Sequence, residues 1–140
     1  MDEKEIKMLI KKAIEMRSFS YTPYSHYNVG AALLAANGKV YTGCNIENAS
    51  YTPTNCAERT AFFKAVSEGV KEFKAIAIAG GAEGADVLDD CSPCGVCRQV
   101  MSEFCNDDFK VICAKSEDDY RIENLTEVLP YRFGPKNLLT

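Results

Sequence analysis

The spacing of apolar positions near the start of the chain predicts an amphipathic helix. Apolar residues recur there every three or four positions, with lysines between them, as on one face of a helix. They are Ile6, Leu9, Ile10, Ala13 and Ile14. The Thr22-Pro23 pair predicts that a loop follows, because the residue before a proline is biased away from helical geometry.

Two short apolar runs after this loop predict a β-hairpin. Residues 29–36 (VGAALLAA) and 39–46 (KVYTGCNI) both suit strands, and Asn37-Gly38 joins them. Asn-Gly between two such runs is a strong hairpin signal, since both residues tolerate the positive φ of a tight turn. Residues 47–55 are rich in turn formers and predict a loop.

A second helix is predicted over residues 56–69. Its apolar residues fall on one face, and Gly69 suits its end. We expect Asn55 to be the N-cap, which places Glu58 at the third helical position. A glutamate there can reach back to the cap and complete a capping box.

The rest of the pattern predicts further strands and helices. Residues 73–80 (FKAIAIAG) are typical of a buried strand, and a loop is predicted over 80–90. A third helix is expected to open at Ser92-Pro93 and to run to about Phe104. A strand at 109–114, a further strand in DYRIENL, a short helix in NLTEVLP and a tail complete the prediction.

Alternating helices and apolar strands predict a single α/β domain over residues 1–140, with helices covering a mixed sheet. Apolar residues make up 46% of the chain, which is enough for a core. The 16 basic and 20 acidic residues form no basic cluster, so we expect a small-molecule partner rather than nucleic acid. The charged start lacks the apolar core of a signal peptide, and no apolar run reaches ~20 residues. We therefore expect a cytoplasmic protein that does not enter membranes.

Seven cysteines carry the candidate chemistry. Cys94 and Cys97 form a C-x-x-C pair, and Cys56 lies at the predicted start of the second helix. Alone, the pair fits either a thioredoxin-like redox motif or half of a structural zinc site. A structural site would need a fourth ligand. Each of the remaining cysteines could supply it: Cys44, Cys91, Cys105 and Cys113.

Taken together, Cys56 and the C-x-x-C pair favour an open zinc site. Thiols at helix starts lie near unpaired N–H groups and the positive end of the helix dipole, which favour the metal-binding thiolate. Three protein ligands leave a fourth position for water, as in catalytic zinc sites. Three thiolates weaken the ion as a Lewis acid, so Arg59 and Arg98 are candidates to draw charge off the sulfurs. Either arginine could instead be a solvated helix residue.

Glu58 distinguishes a catalytic site from a structural one. It could serve only as the helix cap, or it could move protons between water and a substrate. Cys-Ala-Glu followed by Pro-Cys-x-x-Cys is the pattern of zinc deaminases, in which a glutamate that is not a ligand acts as acid and base. The two halves of the pattern together are far more specific than either half.

The chain resembles the small homotetrameric cytidine deaminases of the three-cysteine type. The resemblance covers PYSHYNVGAALL at 23–34, GCNIENASY at 43–51, CAERTAFFKAVSEG at 56–69, SPCGVCRQVMSEF at 92–104 and LPYRFGP at 129–135. It implies a three-layer α/β/α sandwich with a mixed central β-sheet. It also implies a homotetramer with active sites at subunit interfaces.

The activity implied by the resemblance is hydrolytic deamination of cytidine and deoxycytidine to uridine and deoxyuridine in pyrimidine salvage. One Zn²⁺ per chain would be held by Cys56, Cys94 and Cys97 and would activate water. Glu58 would take a proton from that water and pass protons to N3 and the 4-amino group of the base, so that ammonia leaves. Ala57 would contact the substrate.

The same resemblance assigns further positions. Asn45 and Glu47 would hold the ribose hydroxyls, although a polar turn at a strand end is the alternative. Phe133 would pack on the pyrimidine in a neighbouring subunit's site. Ala49 and Tyr51 lie in the loop that lines a neighbour's pocket.

Two residues depart from the family pattern. Tyr27 stands in the pocket-lining segment where the family usually has phenylalanine, so it adds a hydroxyl group there. Cys91 lies close to the ligands and is interpreted as a bystander.

Three alternatives stay open. A blasticidin-type deaminase shares the zinc motifs, but the N-I-E-N segment argues against it. A nucleic-acid editing deaminase conflicts with the acidic balance and the short chain. A non-enzymatic zinc module with four cysteine ligands would leave Glu58 with no role beyond capping.

Overall fold

A computed structural model describes residues 1–139, which form one mixed sheet flanked by helices. The helices are α1 (Glu3–Met16), α2 (Ala57–Ser67), α3 (Gly95–Phe104), α4 (Leu125–Val128) and α5 (Lys136–Leu139). The strands are β1 (Tyr27–Ala35), β2 (Val40–Cys44), β3 (Phe73–Ala82), β4 (Lys110–Ser116) and β5 (Asp119–Asn124). Within residues 1–139, no helix has the length and apolar character needed to span a bilayer.

The sheet has the strand order β2-β1-β3-β4-β5. Strands β3 and β4 are parallel, and the other three neighbouring pairs are antiparallel. The β1–β2 pair is the predicted Asn-Gly hairpin, with Gly38 at φ +90°. The prediction of a mixed α/β sheet is confirmed.

Alternating side chains of the central strands fill two separate cores. In β1, Leu33 faces the core beneath α2 and α3, whereas Leu34 faces the core beneath α1. In β3, Ile76 and Ala77 divide in the same way. Because helices cover both faces, the central strands are apolar at nearly every position. The predicted three-layer sandwich is therefore the observed architecture.

Two glycines let the helices approach the sheet. A Cβ on Gly30 would lie 1.9 Å from the backbone oxygen of Ala13 in α1. A Cβ on Gly43 would lie 2.3 Å from the backbone oxygen of Ala57, in the first turn of α2. The second contact fixes the start of α2, which carries candidate site residues, against β2.

The predicted start of α2 is wrong by one residue. Cys56, not Asn55, is the N-cap, so Glu58 is the second helical residue and the predicted capping box does not form. The reason is that Asn55 belongs to an antiparallel bridge with Ile46, in which each backbone N–H donates to the other residue's oxygen at 2.9 Å. The backbone oxygen of Asn55 is thereby engaged outside the helix, and its side chain donates to Thr60 Oγ1.

The predicted start of α3 is also wrong, by two residues. Its N-cap is Cys94, whose Sγ accepts from the Cys97 N–H at 3.5 Å. Ser92 is not the cap, and its hydroxyl is engaged instead by a hydrogen bond from Arg121. The predicted end at Phe104 is confirmed.

Smaller differences concern the loop after β3 and the C-terminal tail. β3 continues to Ala82, so the predicted loop at 80–90 is shorter than expected, and Asp89 pairs with Gly80 in a single bridge. The predicted tail contains the short helix α5. The predicted strand in DYRIENL and the short helix after it are confirmed as β5 and α4.

Candidate metal centre and catalytic site

Three thiols from two helix starts meet at one point. The Sγ atoms of Cys56, Cys94 and Cys97 all lie within 4.8 Å of one another. Cys56 is the N-cap of α2, Cys94 is the N-cap of α3, and Cys97 lies in the first turn of α3. The start of each helix directs backbone N–H groups and the positive end of its dipole toward this point, which favours thiolates. The sequence-predicted ligand set is thus brought together by the fold.

The donor set fits zinc. Zn–S bonds of about 2.3 Å in a tetrahedron place two sulfurs about 3.8 Å apart. The Cys56 and Cys94 sulfurs are 3.7 Å apart. Within residues 1–139 the group consists of these three thiols and gains no fourth cysteine, histidine or carboxylate. Three thiolates and a free position form the arrangement of a catalytic rather than a structural zinc site.

Arg59 is oriented toward the thiols. One of its terminal nitrogens, Nη2, donates to Cys56 Sγ at 3.3 Å. The pKa of the Cys56 thiol falls to about 5, first because the Cys97 thiol donates to it and then because Arg59 does. The pKa of Cys97 is raised, since its proton is held by the Cys56 sulfur. Arg59 Nε is buried and has no hydrogen-bond partner in residues 1–139. The guanidinium therefore has one donor left that could interact with the added negative charge when all three thiols are ionised.

Glu58 is the buried acid of the site. It is only 4% exposed, and it lies in the first turn of α2, two residues after Cys56. Burial raises the pKa of its carboxyl to about 7, and the negative charge of Cys56 acts in the same direction. A carboxyl with a pKa in this range can both accept and return a proton near neutral pH. Ala57, between Cys56 and Glu58, is fully buried.

Asn45 and Glu47 follow directly after β2 and are held in place by the chain around them. Asn45 Oδ1 accepts from the Val29 N–H at 2.9 Å, and its Nδ2 donates to the Tyr27 oxygen at 2.8 Å. Glu47 accepts from the backbone N–H groups of Tyr24 and Ser25 and from the Ser25 hydroxyl. These bonds, led by the one from the Ser25 hydroxyl, lower the pKa of Glu47. Both polar groups are oriented in advance of any ligand.

A surface cavity of about 400 Å³ lies beside Glu47. It is lined by Tyr24, Ser25, Glu47, Asn48, Tyr51 and Thr54. Tyr51 has a positive φ of 63° and is 76% exposed. A strained, exposed tyrosine at the rim of a cavity is suited to contact another molecule.

Tyr27 extends across the sheet toward the loop that precedes the ligands. Its hydroxyl donates to Asp89 Oδ2 at 3.1 Å. A Cβ on Gly80 would lie 2.8 Å from Cys91 Sγ and 3.3 Å from the Tyr27 ring, so Tyr27 and Cys91 both pack over this glycine. Burial raises the pKa of Cys91 to about 12, which keeps the thiol protonated.

The remaining predicted positions are not gathered at the thiols within one chain. Phe133 is 58% exposed, and its backbone oxygen accepts from Gln99 Nε2 at 2.7 Å and from Ser102. Ala49 is exposed in the loop before Tyr51. Cys44, Cys105 and Cys113 are buried away from the three-thiol group.

Arg98 is neither a donor to the ligand sulfurs nor a solvated helix residue, the two roles considered for it. Its Nε donates to the Pro93 oxygen at 2.8 Å, and its Nη1 donates to the Val128 oxygen at 2.6 Å. It therefore fixes the start of α3 to α4, and within the described part of the chain it makes no bond to sulfur. Arg121, which no sequence pattern singled out, binds Asp90 and Ser92 just before the ligands. These contacts span 29 and 31 residues and have no local sequence pattern.

Comparisons with known proteins agree with this site. A family profile described as "Cytidine and deoxycytidylate deaminase zinc-binding region" matches residues 3–114. A protein named cytidine deaminase from Sporosarcina psychrophila is 47% identical over 134 residues, covering 96% of this chain and 95% of that protein. Another with that name, from Halalkalibacterium halodurans, is 48% identical over 132 residues, covering 94% and 96%.

Solved structures share the fold. The crystal structure of cytidine deaminase from Burkholderia pseudomallei superposes with a TM-score of 0.80 at 44% identity, covering 90% of this chain and 97% of that one. The crystal structure of cytidine deaminase from Mycobacterium tuberculosis gives 0.76 at 35% identity, covering 91% and 96%.

Proposed function

Because this chain belongs to the cytidine and deoxycytidylate deaminase family, we propose that it hydrolyses cytidine and deoxycytidine to uridine and deoxyuridine with release of ammonia. The observation that carries the proposal is the buried Glu58 carboxyl next to a cluster that holds three thiols and, among residues 1–139, no fourth ligand. A structural zinc module would need a closed ligand set and would have no use for a buried acid.

Cys56, Cys94 and Cys97 would hold one Zn²⁺ per chain, in keeping with the matched zinc-binding region. When bound, the ion supplies a Lewis acid and an activated water at neutral pH. Arg59 draws negative charge from Cys56 through its hydrogen bond, which keeps a three-thiolate cluster from becoming too electron-rich.

Glu58 moves the protons. Its carboxylate accepts a proton from the attacking water and delivers it to N3 of the pyrimidine. After the oxygen has added to C4 of the base, Glu58 takes the proton that remains on this oxygen and carries it to the 4-amino group, and the C4–N bond breaks to release ammonia. The buried position suits this role, because a low-dielectric site raises the pKa of the carboxyl toward the working pH.

Asn45 and Glu47 bind the sugar. Each still has hydrogen-bonding capacity after its contacts with β1 and with the segment at Tyr24 and Ser25. A carboxylate held by two backbone N–H groups is oriented to accept from a sugar hydroxyl without losing side-chain freedom on binding. Tyr27 and Ala57 line the base side of the pocket.

We further propose a homotetramer in which the active sites lie between subunits. The support is a set of exposed aromatic rings that a monomer would leave in water: Tyr24, Tyr51, Tyr131 and Phe133. Phe133, Ala49 and Tyr51 would then reach a neighbour's pocket. The seven free thiols fit the reducing cytoplasm.

Spectrophotometry tests the activity. Purified protein loaded with zinc should convert cytidine and deoxycytidine with loss of the cytosine absorbance and release of one ammonia per nucleoside. A zinc-loaded protein that leaves both nucleosides unchanged would contradict the proposal.

X-ray absorption at the zinc edge tests the ligand set. Three sulfurs at about 2.3 Å and one lighter atom are expected. Four sulfurs would support the non-enzymatic module instead.

A further inference from the structure

The ligand Cys94 is positioned by the segment that precedes it. Cys97 lies within α3 and is 1% exposed, and Cys56 follows a backbone bridge. Cys94 is exposed and follows residues 89–93, which lie outside any helix and share one single bridge with β3. We call residues 89–93 the strap.

Every residue of the strap has at least one contact with the rest of the fold. Asp89 is held by Tyr27 through its carboxylate and by Gly80 through its N–H. Cys91 packs over Gly80, and Arg98 holds the Pro93 oxygen. The two positions between these, Asp90 and Ser92, are both held by Arg121.

Arg121 spans the strap from the edge strand β5. Its Nε donates to Asp90 Oδ1 at 3.1 Å, and its Nη2 donates to Ser92 Oγ at 2.6 Å. Glu123, two residues along the same face of β5, pairs with Nη1 and fixes the guanidinium from the other side. A planar guanidinium with donors on two edges sets the spacing of its two acceptors, which a lysine cannot do.

We call the two hydrogen bonds from Arg121 to Asp90 and Ser92 the clamp. The contribution of the clamp to the free energy of unfolding is expected to be small. Arg121 is 38% exposed and Asp90 is 55% exposed, and ion pairs at such sites contribute little to folding. Its effect should instead be local, because it limits the positions that the backbone before Cys94 can take. A metal-binding side chain that is already ordered binds the ion more tightly and releases it more slowly, because no entropy is lost in ordering it on binding.

We propose that Arg121 is a positioning residue for the metal centre, which holds Cys94 in place through Asp90 and Ser92. The inference rests on the proposed zinc site. It predicts that loss of the clamp speeds the release of zinc without lowering the stability of the metal-free fold.

The experiment measures zinc transfer from the loaded protein to the chromogenic chelator 4-(2-pyridylazo)resorcinol. Arg121→Gln should release zinc roughly 10-fold faster than wild type, as for other residues that support metal ligands. Arg121→Lys should fall between the two, since one ammonium group can replace only one of the two contacts. The matched control is Lys7→Gln, which removes a similarly exposed ion pair to Asp118 in the β4–β5 turn.

Thermal melting of the metal-free proteins separates positioning from general destabilisation. Arg121→Gln and Lys7→Gln should melt within about 2 °C of each other, and only the former should release zinc faster. Equal release rates for Arg121→Gln and wild type would overturn the proposal. The proposal would also be overturned if Arg121→Gln released zinc faster but its metal-free form melted well below that of Lys7→Gln, because general destabilisation would then explain the release.

If Arg121→Gln does not fold, two other variants test whether the contacts of Arg121 hold Cys94 in place. Ser92→Ala and Asp90→Asn each remove one acceptor, and each should speed zinc release in the background of an intact Arg121. Wild-type release from both variants would contradict the clamp. Failure of wild type to bind zinc would instead contradict the proposed function, so the two failures are distinguishable.

Discussion

Glu58 combines deep burial with a position beside the thiols, and these two properties separate a proton carrier from a helix cap. A capping box needs a side-chain oxygen at the N-cap and a glutamate at the third helical position. Here the N-cap is Cys56, which has no side-chain oxygen, and Glu58 is the second residue of α2. A glutamine at position 58 keeps the shape and the hydrogen-bonding capacity but cannot carry a proton.

Glu58→Gln should therefore lower kcat by ~10²–10⁴-fold or more while the zinc content and the melting temperature stay close to wild type. The measurement is cytidine turnover together with zinc analysis and thermal melting. Glu103→Gln, on the exposed side of α3, is the control and should keep full activity. Near wild-type turnover by Glu58→Gln would rule out the proton-carrying role.

Arg59 is proposed to act on the same centre through charge. Arg59→Ala removes the donor to Cys56 Sγ, so the sulfur becomes more electron-rich and the ion a weaker Lewis acid. We expect kcat to fall roughly 10-fold or more with little change in KM. Steady-state kinetics on zinc-loaded protein measure this, and Arg59→Lys, which keeps the charge, should retain more activity. Unchanged kcat in Arg59→Ala would place the residue outside the tuning of the metal.

At the scale of elements, the helix starts determine where the site lies. Gly43 allows the first turn of α2 to rest on β2, since any Cβ there would lie 2.3 Å from the Ala57 oxygen. Gly43→Ala must push the start of α2 away from the sheet and carry Cys56 and Glu58 with it.

Gly43→Ala should destabilise the protein by about 1–3 kcal/mol, as overpacking generally does, and should also weaken zinc binding. Denaturant unfolding and zinc competition measure the two effects. The control is Gly69→Ala, where the space is open but φ is +87°. It should lose only about 1–2 kcal/mol from backbone strain and should bind zinc as wild type does. Normal zinc binding in a destabilised Gly43→Ala would show that α2 adjusts without moving its ligand.

Most of the helices and strands, and the three-thiol cluster, could be predicted from the sequence. Apolar periodicity predicts α1, the hairpin and both faces of the sheet, because burial on two sides makes the central strands apolar throughout. The spacing of Cys56, Glu58, Cys94 and Cys97 predicts the cluster, because both helices start at their ligands.

The helix caps could not be predicted from local pattern. Asn55 is a good N-cap by residue type, but its backbone is engaged by Ile46, nine residues earlier. Ser92 is a good N-cap by residue type, but Arg121 binds its hydroxyl. In both cases a contact between distant segments overrides the local preference, and a single sequence shows no trace of such a contact.

At the scale of the whole molecule, the C-terminal segment holds Phe133 in an outward position. Gln99 and Ser102 bind its backbone oxygen, so the tail is fixed along α3 while the ring remains 58% exposed. Tyr131 is 98% exposed and Leu139 83% exposed in the same segment. An ordered tail with apolar side chains in water is expected to be covered by another subunit.

The proposed tetramer makes a prediction about mixed subunits. Sedimentation should show a tetramer, and Phe133→Ala should lose activity mainly through a higher KM while it keeps its zinc. If Phe133 completes a neighbour's site, then Glu58→Gln subunits, which are inactive but carry Phe133, should rescue Phe133→Ala subunits, which carry Glu58. Co-expression of the two variants should therefore restore the low KM in a fraction of the sites. The control is a mixture of the two separately purified proteins that do not exchange subunits, whose activity should equal the sum of the two separate activities.

Two results would contradict this arrangement. If the KM of the co-expressed protein equals that of Phe133→Ala alone, Phe133 serves its own subunit or none. An active monomer in sedimentation would show that no neighbour is needed for activity.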